Sequence, residues 1–201
     1  MKDYRKVLAA IGGIVLIAAV ALGARSLILS APETAASQPS RGLPTIGGPF
    51  TLTDQNGRTV TDADFHGRYM LIYFGYTYCP DVCPTSLQVM ADALDLLGPK
   101  ADEITPVLIT IDPQRDTSEL LRDYVANFHP RMVGLTGTQE QIAAAAKAYR
   151  VYFAKAEQDG GVYLMDHSSI VYLMGKDGSF LGHFGHNTPA DKMAEGIRKH
   201  L

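Results

Sequence analysis

Two cysteines and six histidines are the residues of this 201-residue chain with the most chemistry to offer, and they are unevenly placed. The segment Cys79-Pro80-Asp81-Val82-Cys83 holds the two thiols four positions apart, so on a helical or near-helical turn both sulfurs project from one side. Such a pair can hold a soft metal, exchange disulfides with another protein, or close on itself. Each outcome needs a thiolate, and a helix amino terminus, with its unpaired amides and dipole, lowers a thiol's pKa. As a plain staple the pair is poor, because closing so small a loop removes little entropy from the unfolded chain. Two thiolates form half a site for copper(I), zinc or a related metal, and a third donor is needed to complete it.

The histidines are not equivalent candidates for that donor. His66 stands beside Gly67 in a turn, His129 precedes Pro130 at a helix end, and His200 nearly ends the chain; solvated or capping roles suit all three. His183 and His186 flank Phe184-Gly185 and read as a surface pair. His167 follows Val162-Tyr163-Leu164-Met165-Asp166 and precedes Ser168-Ser169 and an apolar strand, which puts an imidazole in a loop at a sheet edge. Residue types alone leave it a candidate and no more. Met70, Met90, Met165 and Met174 fall in apolar runs and read as core packing rather than as extra soft donors.

The elements around these residues are legible from periodicity. Phe50 to Thr53, the turn Asp54-Gln55-Asn56-Gly57, and Arg58 to Val60 predict a hairpin. Tyr69 to Phe74 is a nearly continuous apolar run, as in a central strand covered on both faces, and the cysteines follow it at once. Pro84 and Thr85 introduce a helix from Ser86 to Leu97, stopped by Gly98-Pro99. Ile104 to Ile111 predicts a second buried strand. Helices follow from Thr117 to about Phe128 and from Thr138 to Tyr149, the latter with a capping box. Tyr149–Ala154, Val162–Met165, Ile170–Met174 and Ser179–Phe184 predict strands, and a helix from about Pro189 to His200 closes the chain. Alternating strands and helices followed by an antiparallel hairpin imply an α/β, thioredoxin-like mixed central sheet flanked by helices.

A composition of 46% hydrophobic and 19% charged residues supports one core, once the amino-terminal segment is set aside. The net charge of -3 shows no cationic surplus of the kind that binds phosphates, so nucleic acid is not an expected partner. Residues 1–6, with Lys2, Arg5 and Lys6, read as a cytoplasmic tail. The uncharged run Val7 to Ala24 would span roughly 27 Å as a helix, and 7–29 is expected to be a single transmembrane anchor, with a cleaved signal peptide as the alternative. Either sends the domain to an extracytoplasmic space such as the periplasm. Residues 30–43, rich in Ala, Ser, Pro and Thr, read as a tether, and 44–201 as the folded domain.

The chain resembles the Sco/SenC family of copper-binding assembly factors for cytochrome c oxidase. The resemblance runs through Ile46-Gly47-Gly48-Pro49-Phe50, through Tyr73 to Pro84 with both cysteines, through Ile111-Asp112-Pro113-Gln114-Arg115-Asp116-Thr117, and through Asp166-His167-Ser168. It implies a thioredoxin-like fold and copper, as Cu(I) or Cu(II), held by Cys79, Cys83 and His167. Asp112 matches an acidic family position near the site; capping the turn opened by Pro113 accounts for it as well. Tyr78 stands where relatives often carry histidine. The implied role is a metallochaperone that takes copper from a donor protein and delivers it to the copper-bearing subunit of the oxidase. A thiol-disulfide oxidoreductase that keeps that subunit's cysteines reduced is the rival from another class. A peroxidase is disfavoured, since Cys83 would trap a sulfenic acid on Cys79 as a disulfide.

Overall fold

The structure, a computed structural model, describes residues 45–157 and 163–201. The expected cytoplasmic tail, transmembrane anchor and tether lie outside the described residues. Among the described residues no helix is long and apolar enough to cross a membrane.

The two apolar runs form the centre of the sheet. Strands β3 (Tyr69–Gly75) and β4 (Ile104–Thr110) pair in parallel, with Ile72 beside Val107 and Gly75 beside Thr110. Nearly every residue of both is buried, because helices cover the two faces. Around them the strands β1 (Thr51–Asp54), β2 (Thr59–Thr61), β5 (Val133–Thr136), β8 (Ile170–Met174) and β9 (Phe180–Gly185) complete a seven-stranded sheet in the order β2-β1-β5-β4-β3-β8-β9. β5 runs parallel to β4, whereas β1, β8 and β9 pair antiparallel with their neighbours. The mixed sheet expected from the sequence is present. Strands β6 (Phe153–Glu157) and β7 (Tyr163–His167) form a hairpin of their own outside it.

Among the described residues four α-helices flank the sheet: α1 (Val82–Leu97), α2 (Ser118–Val125), α3 (Gln139–Ala148) and α4 (Ala190–Arg198). α1 buries Leu87, Met90, Ala91, Leu94 and Leu97 at helical spacing and packs on α4, which buries Met193, Ala194 and Ile197. Thr117 caps α2 by accepting from the Leu120 amide, and Thr138 with Gln141 forms the expected capping box on α3. Met70, Met90, Met165 and Met174 are all core residues, as their apolar runs implied.

Three elements depart from expectation. β5 was not anticipated, because Val133-Gly134-Leu135-Thr136 is short and interrupted by glycine. Its position between β4 and β1 supplies the pairing, and Gly134 leaves the room in which Leu121 and Val125 of α2 approach within about van der Waals distance. The strand expected from Tyr149 begins only at Phe153. Tyr149 is buried at the carboxyl end of α3, and Arg150 takes the left-handed conformation at φ 57°, which separates helix from strand. Helix α1 starts at Val82 rather than Ser86, so Cys83 lies in its first turn.

The topology fixes where chemistry can occur. Parallel β3 and β4 end at the same edge, where the Ile111 amide donates to the Gly75 carbonyl at 2.9 Å. The loops after them, with the cysteines and with Asp112 to Asp116, therefore sit side by side, as ligand-binding loops do at the carboxyl ends of α/β strands. Because β8 runs antiparallel to β3, with Val171 beside Tyr73, its start lies at that same edge. His167 is three residues before that start.

Candidate metal centre

Cys79 leaves β3 on a short loop and is half-buried; Cys83 is fully buried in the first turn of α1. Both are free thiols. No side chain of Asp81, at the helix boundary, caps α1. Instead the Cys83 amide donates to Cys79 Sγ at 3.3 Å, so a sulfur takes the place of a capping oxygen. Gly75, beneath the pair, leaves room only for a hydrogen: a Cβ there would stand 2.7 Å from the Tyr73 ring and 3.1 Å from Cys83 Sγ.

His167, at the end of β7, brings Nε2 to 3.4 Å from Cys83 Sγ across 84 positions of sequence. Its Nδ1 lies 3.2 Å from the Ser168 carbonyl oxygen. A carbonyl only accepts, so Nδ1 donates to it, and Nε2 is the ring atom presented to the sulfurs. The ring is held edge-on between Tyr73 and Tyr76, at centroid distances of 5.9 and 6.0 Å. Tyr73 Oη also reaches Cys83 Sγ at 3.9 Å. The sequence placed His167 in a loop; it is the last residue of a strand, opposite Phe153.

The two thiols differ in character. A hydrogen bond from the Cys83 thiol holds the Cys79 pKa down, to about 3, helped by His167 and the backbone amides of Asp81 and Cys83, against the opposing effect of burial. The same hydrogen bond to Cys79, together with burial, pushes Cys83 up. One proton is thus shared, with the thiolate on the more accessible sulfur. The lowered pKa means that the thiolate persists at any pH well above that value. Alkylation of Cys79 by iodoacetamide is therefore expected at a nearly constant rate from about pH 5 to about pH 8, with Cys83 protected until the chain unfolds. A rate for Cys79 that climbs tenfold per pH unit across that range would contradict this charge distribution.

Two sulfurs and an imidazole nitrogen are donors suited to copper(I), and also to zinc. A metal shared in a trigonal plane, at bond lengths of about 2.3 Å to sulfur and 2.0 Å to nitrogen, requires the two donors to stand about 3.7 Å apart. The 3.4 Å between Cys83 and His167 is close to that. Among the described residues no three His, Cys, Asp or Glu side chains are already drawn up as a complete metal cage. Closing the third corner accordingly requires the half-buried Cys79 side chain to adjust. A cavity of about 280 Å³ opens onto Cys79 and His167, lined also by Tyr76, Pro80, Met165 and Asp166 among others. A larger one, of about 370 Å³, lies at the β1–β2 hairpin. There the Asp54 carboxylate is taken up by Arg58 and the amides of Asn56 and Arg58.

Asp112 is buried, and its carboxylate faces neither cysteine through a hydrogen bond. It accepts from Arg115 Nε and, at 2.9 Å, from Tyr163 Oη. Nor does its side chain cap the following turn, where the Asp112 carbonyl takes the amides of Arg115 and Asp116. Its connection to the site runs through Tyr163 on β7. Asp116, fully buried, was not singled out by itself in the sequence. It accepts from the Thr77 amide at 3.1 Å and from the hydroxyls of Thr77 and Thr110, both at 2.6 Å, which pins the cysteine loop to the end of β4. Burial raises its pKa in spite of these bonds. Tyr78 is exposed, with its ring 4.7 Å from the Arg115 guanidinium. His183 stacks on Phe180, and the amide of Arg131 donates to His129 Nδ1; both lie away from the pair's contacts.

A family model described as SCO1/SenC matches residues 38–201. The human protein "Protein SCO1 homolog, mitochondrial" is 45% identical over 163 residues, which covers 80% of this chain and 54% of that relative. The chain thus spans about half the length of the mitochondrial relative. Among solved structures, Arabidopsis thaliana ScoI with copper bound superposes with a TM-score of 0.74 at 40% identity, covering 77% of this chain and 97% of that one. BsSco, described as a member of the Sco family of cytochrome c oxidase assembly proteins with a disulfide switch, superposes with a TM-score of 0.62 at 27% identity, covering 82% and 98%. The thioredoxin-like α/β fold is shared with them.

Proposed function

As the chain belongs to the SCO1/SenC family, we propose that it is a copper carrier for cytochrome c oxidase assembly, with Cys79, Cys83 and His167 as the ligands. The observation that carries this reading is the imidazole Nε2 held 3.4 Å from Cys83 Sγ, beside a second sulfur that bears the thiolate. The copper-bound state of a relative 40% identical to this chain supports it. Copper is the cargo. The protein's part is to present two sulfurs and one nitrogen, to exclude water from Cys83 by burial, and to leave Cys79 open to the cavity from which a partner can take the ion.

The transmembrane anchor and tether read from residues 7–43 fit this role, since they would let the domain reach a copper-bearing oxidase subunit and a copper donor at an extracytoplasmic membrane face. X-ray absorption of the reduced, copper-loaded domain tests the site directly. Two sulfurs and one nitrogen per copper(I) is the expected shell. Copper bound by oxygen and nitrogen alone would end the proposal.

A second reading has an observation of its own. An accessible Cys79 thiolate above a buried Cys83 thiol is the arrangement of a dithiol that attacks a partner's disulfide and then resolves the mixed disulfide. Exchange needs no imidazole ligand, so His167→Ala separates the two readings: it should leave exchange with a model disulfide within about twofold while weakening copper binding.

A further inference from the structure

His167 reaches the cysteines on a hairpin that the main sheet does not hold. β6 and β7 pair only with each other, and among the described residues none of their backbone-to-backbone hydrogen bonds reaches the seven-stranded sheet. What docks the hairpin beside the loop after β4 is a set of side-chain contacts. Arg115 is at their centre. Its Nη1 donates to the Tyr163 carbonyl at 3.0 Å, its Nε donates to Asp112, and Asp112 in turn accepts from Tyr163 Oη. The guanidinium carbon lies over the Tyr163 ring of β7, 3.7 Å from its centroid. The same group faces the rings of Tyr78 at 4.7 Å and Tyr76 at 5.8 Å, on the segment leading to Cys79. Tyr76 Oη accepts from the Met165 amide, two residues before His167.

We infer that Arg115 is a positioning residue for the copper site: one planar cation clamps the strand that carries His167 to the loop that carries Cys79, and so sets whether imidazole and sulfurs stand together. This rests on the copper reading above. A planar, forked group suits this place, since its face packs over tyrosine while its edge donates to Asp112 and to the Tyr163 carbonyl; a lysine ammonium has donors enough but neither the planar face nor the fixed fork. Among the described residues its buried Nη2 has no hydrogen-bond partner, so the contacts they show it making are those over the rings and through its other donors.

The test uses the metal-free and the copper(I)-loaded chain. In Arg115→Gln, amide exchange at Met165 and along β7 should rise by about tenfold or more while the amides of β3 stay within about twofold. Copper(I) affinity should fall by about tenfold, the lower end of the usual effect of removing a group that orients a ligand and no more than His167→Ala itself produces. In a His167→Ala background the same substitution should change affinity by less than about twofold, because its effect passes through the imidazole. Arg115→Lys should restore stability without restoring affinity. Should Arg115→Gln fail to fold, Tyr163→Phe, which removes only the hydroxyl bond to Asp112, should show the same pattern at smaller size. An equal affinity loss in both backgrounds, or unchanged exchange along β7 in the variant that folds, overturns the inference. If His167→Ala by itself leaves copper affinity intact, the ligand reading fails, whereas the exchange experiment still decides whether Arg115 holds the hairpin.

Discussion

Replacing both thiols, as Cys79→Ala with Cys83→Ala, is expected to weaken copper(I) binding by on the order of ten-thousandfold. Structural zinc sites with four donors bind with roughly 10–16 kcal/mol, about 3 kcal/mol per donor, so two lost thiolates remove about 6 kcal/mol. The fold should survive. Cys83 is fully buried against Tyr73 and Gly75, but trimming one sulfur leaves only a small void, at a cost of about 1 kcal/mol. The helix loses the sulfur that accepts from the Cys83 amide, which adds about 1 kcal/mol. Competition against a copper(I) chelator measures the outcome, with a urea titration to show that the variant is folded. Affinity within tenfold of the original would place copper somewhere other than this pair and remove the basis of the proposed function.

His167→Ala separates the two oxidation states. Copper(I) is well served by two thiolates, whereas copper(II) favours nitrogen and oxygen donors in a tetragonal arrangement, so the imidazole matters more to the oxidised ion. Loss of one donor, about 3 kcal/mol, lowers copper(II) affinity by on the order of a hundredfold or more. Copper(I) affinity should fall by a smaller factor. The electron paramagnetic resonance spectrum should lose its nitrogen coupling, and the sulfur-to-copper absorption should shift. The fold is not at risk, since His167 is only partly buried and its Nδ1 bond is to the adjacent Ser168 carbonyl. Equal, small changes in both oxidation states would mean that the ring neighbours the cysteines without binding what they bind.

Much of the site was visible before any coordinates. The cysteine spacing, the apolar run ahead of it and the helix behind it lie within one stretch from Tyr69 to Leu97, and local periodicity reports such stretches well. The two buried strands, the caps at Thr117 and Thr138, and the core roles of the four methionines follow from the same kind of pattern. What escaped was short or non-local. β5 has four residues and a glycine, so only its neighbours make it a strand. The early start of α1 escaped because the Cys83 amide is satisfied by a sulfur, a partner that capping preferences do not reveal. Arg115, Tyr163, Tyr76 and Asp116 support the site through contacts spanning dozens of residues, and nothing in the composition around them announces a partner.

The division between chain and fold is sharpest at the proposed metal donors. Sequence alone set two thiols four positions apart just ahead of an expected helix, and with them the capacity for soft-metal or disulfide chemistry, because that geometry is local. Which histidine joins them was decided only by strand pairing. The antiparallel register of β8 on β3 carries residue 167 to the edge where β3 ends, and side-chain contacts from the loop after β4 dock its hairpin there. Periodicity tells which residues face a core, but it carries no record of which strand lies beside which, and a distant imidazole becomes a neighbour only through that choice.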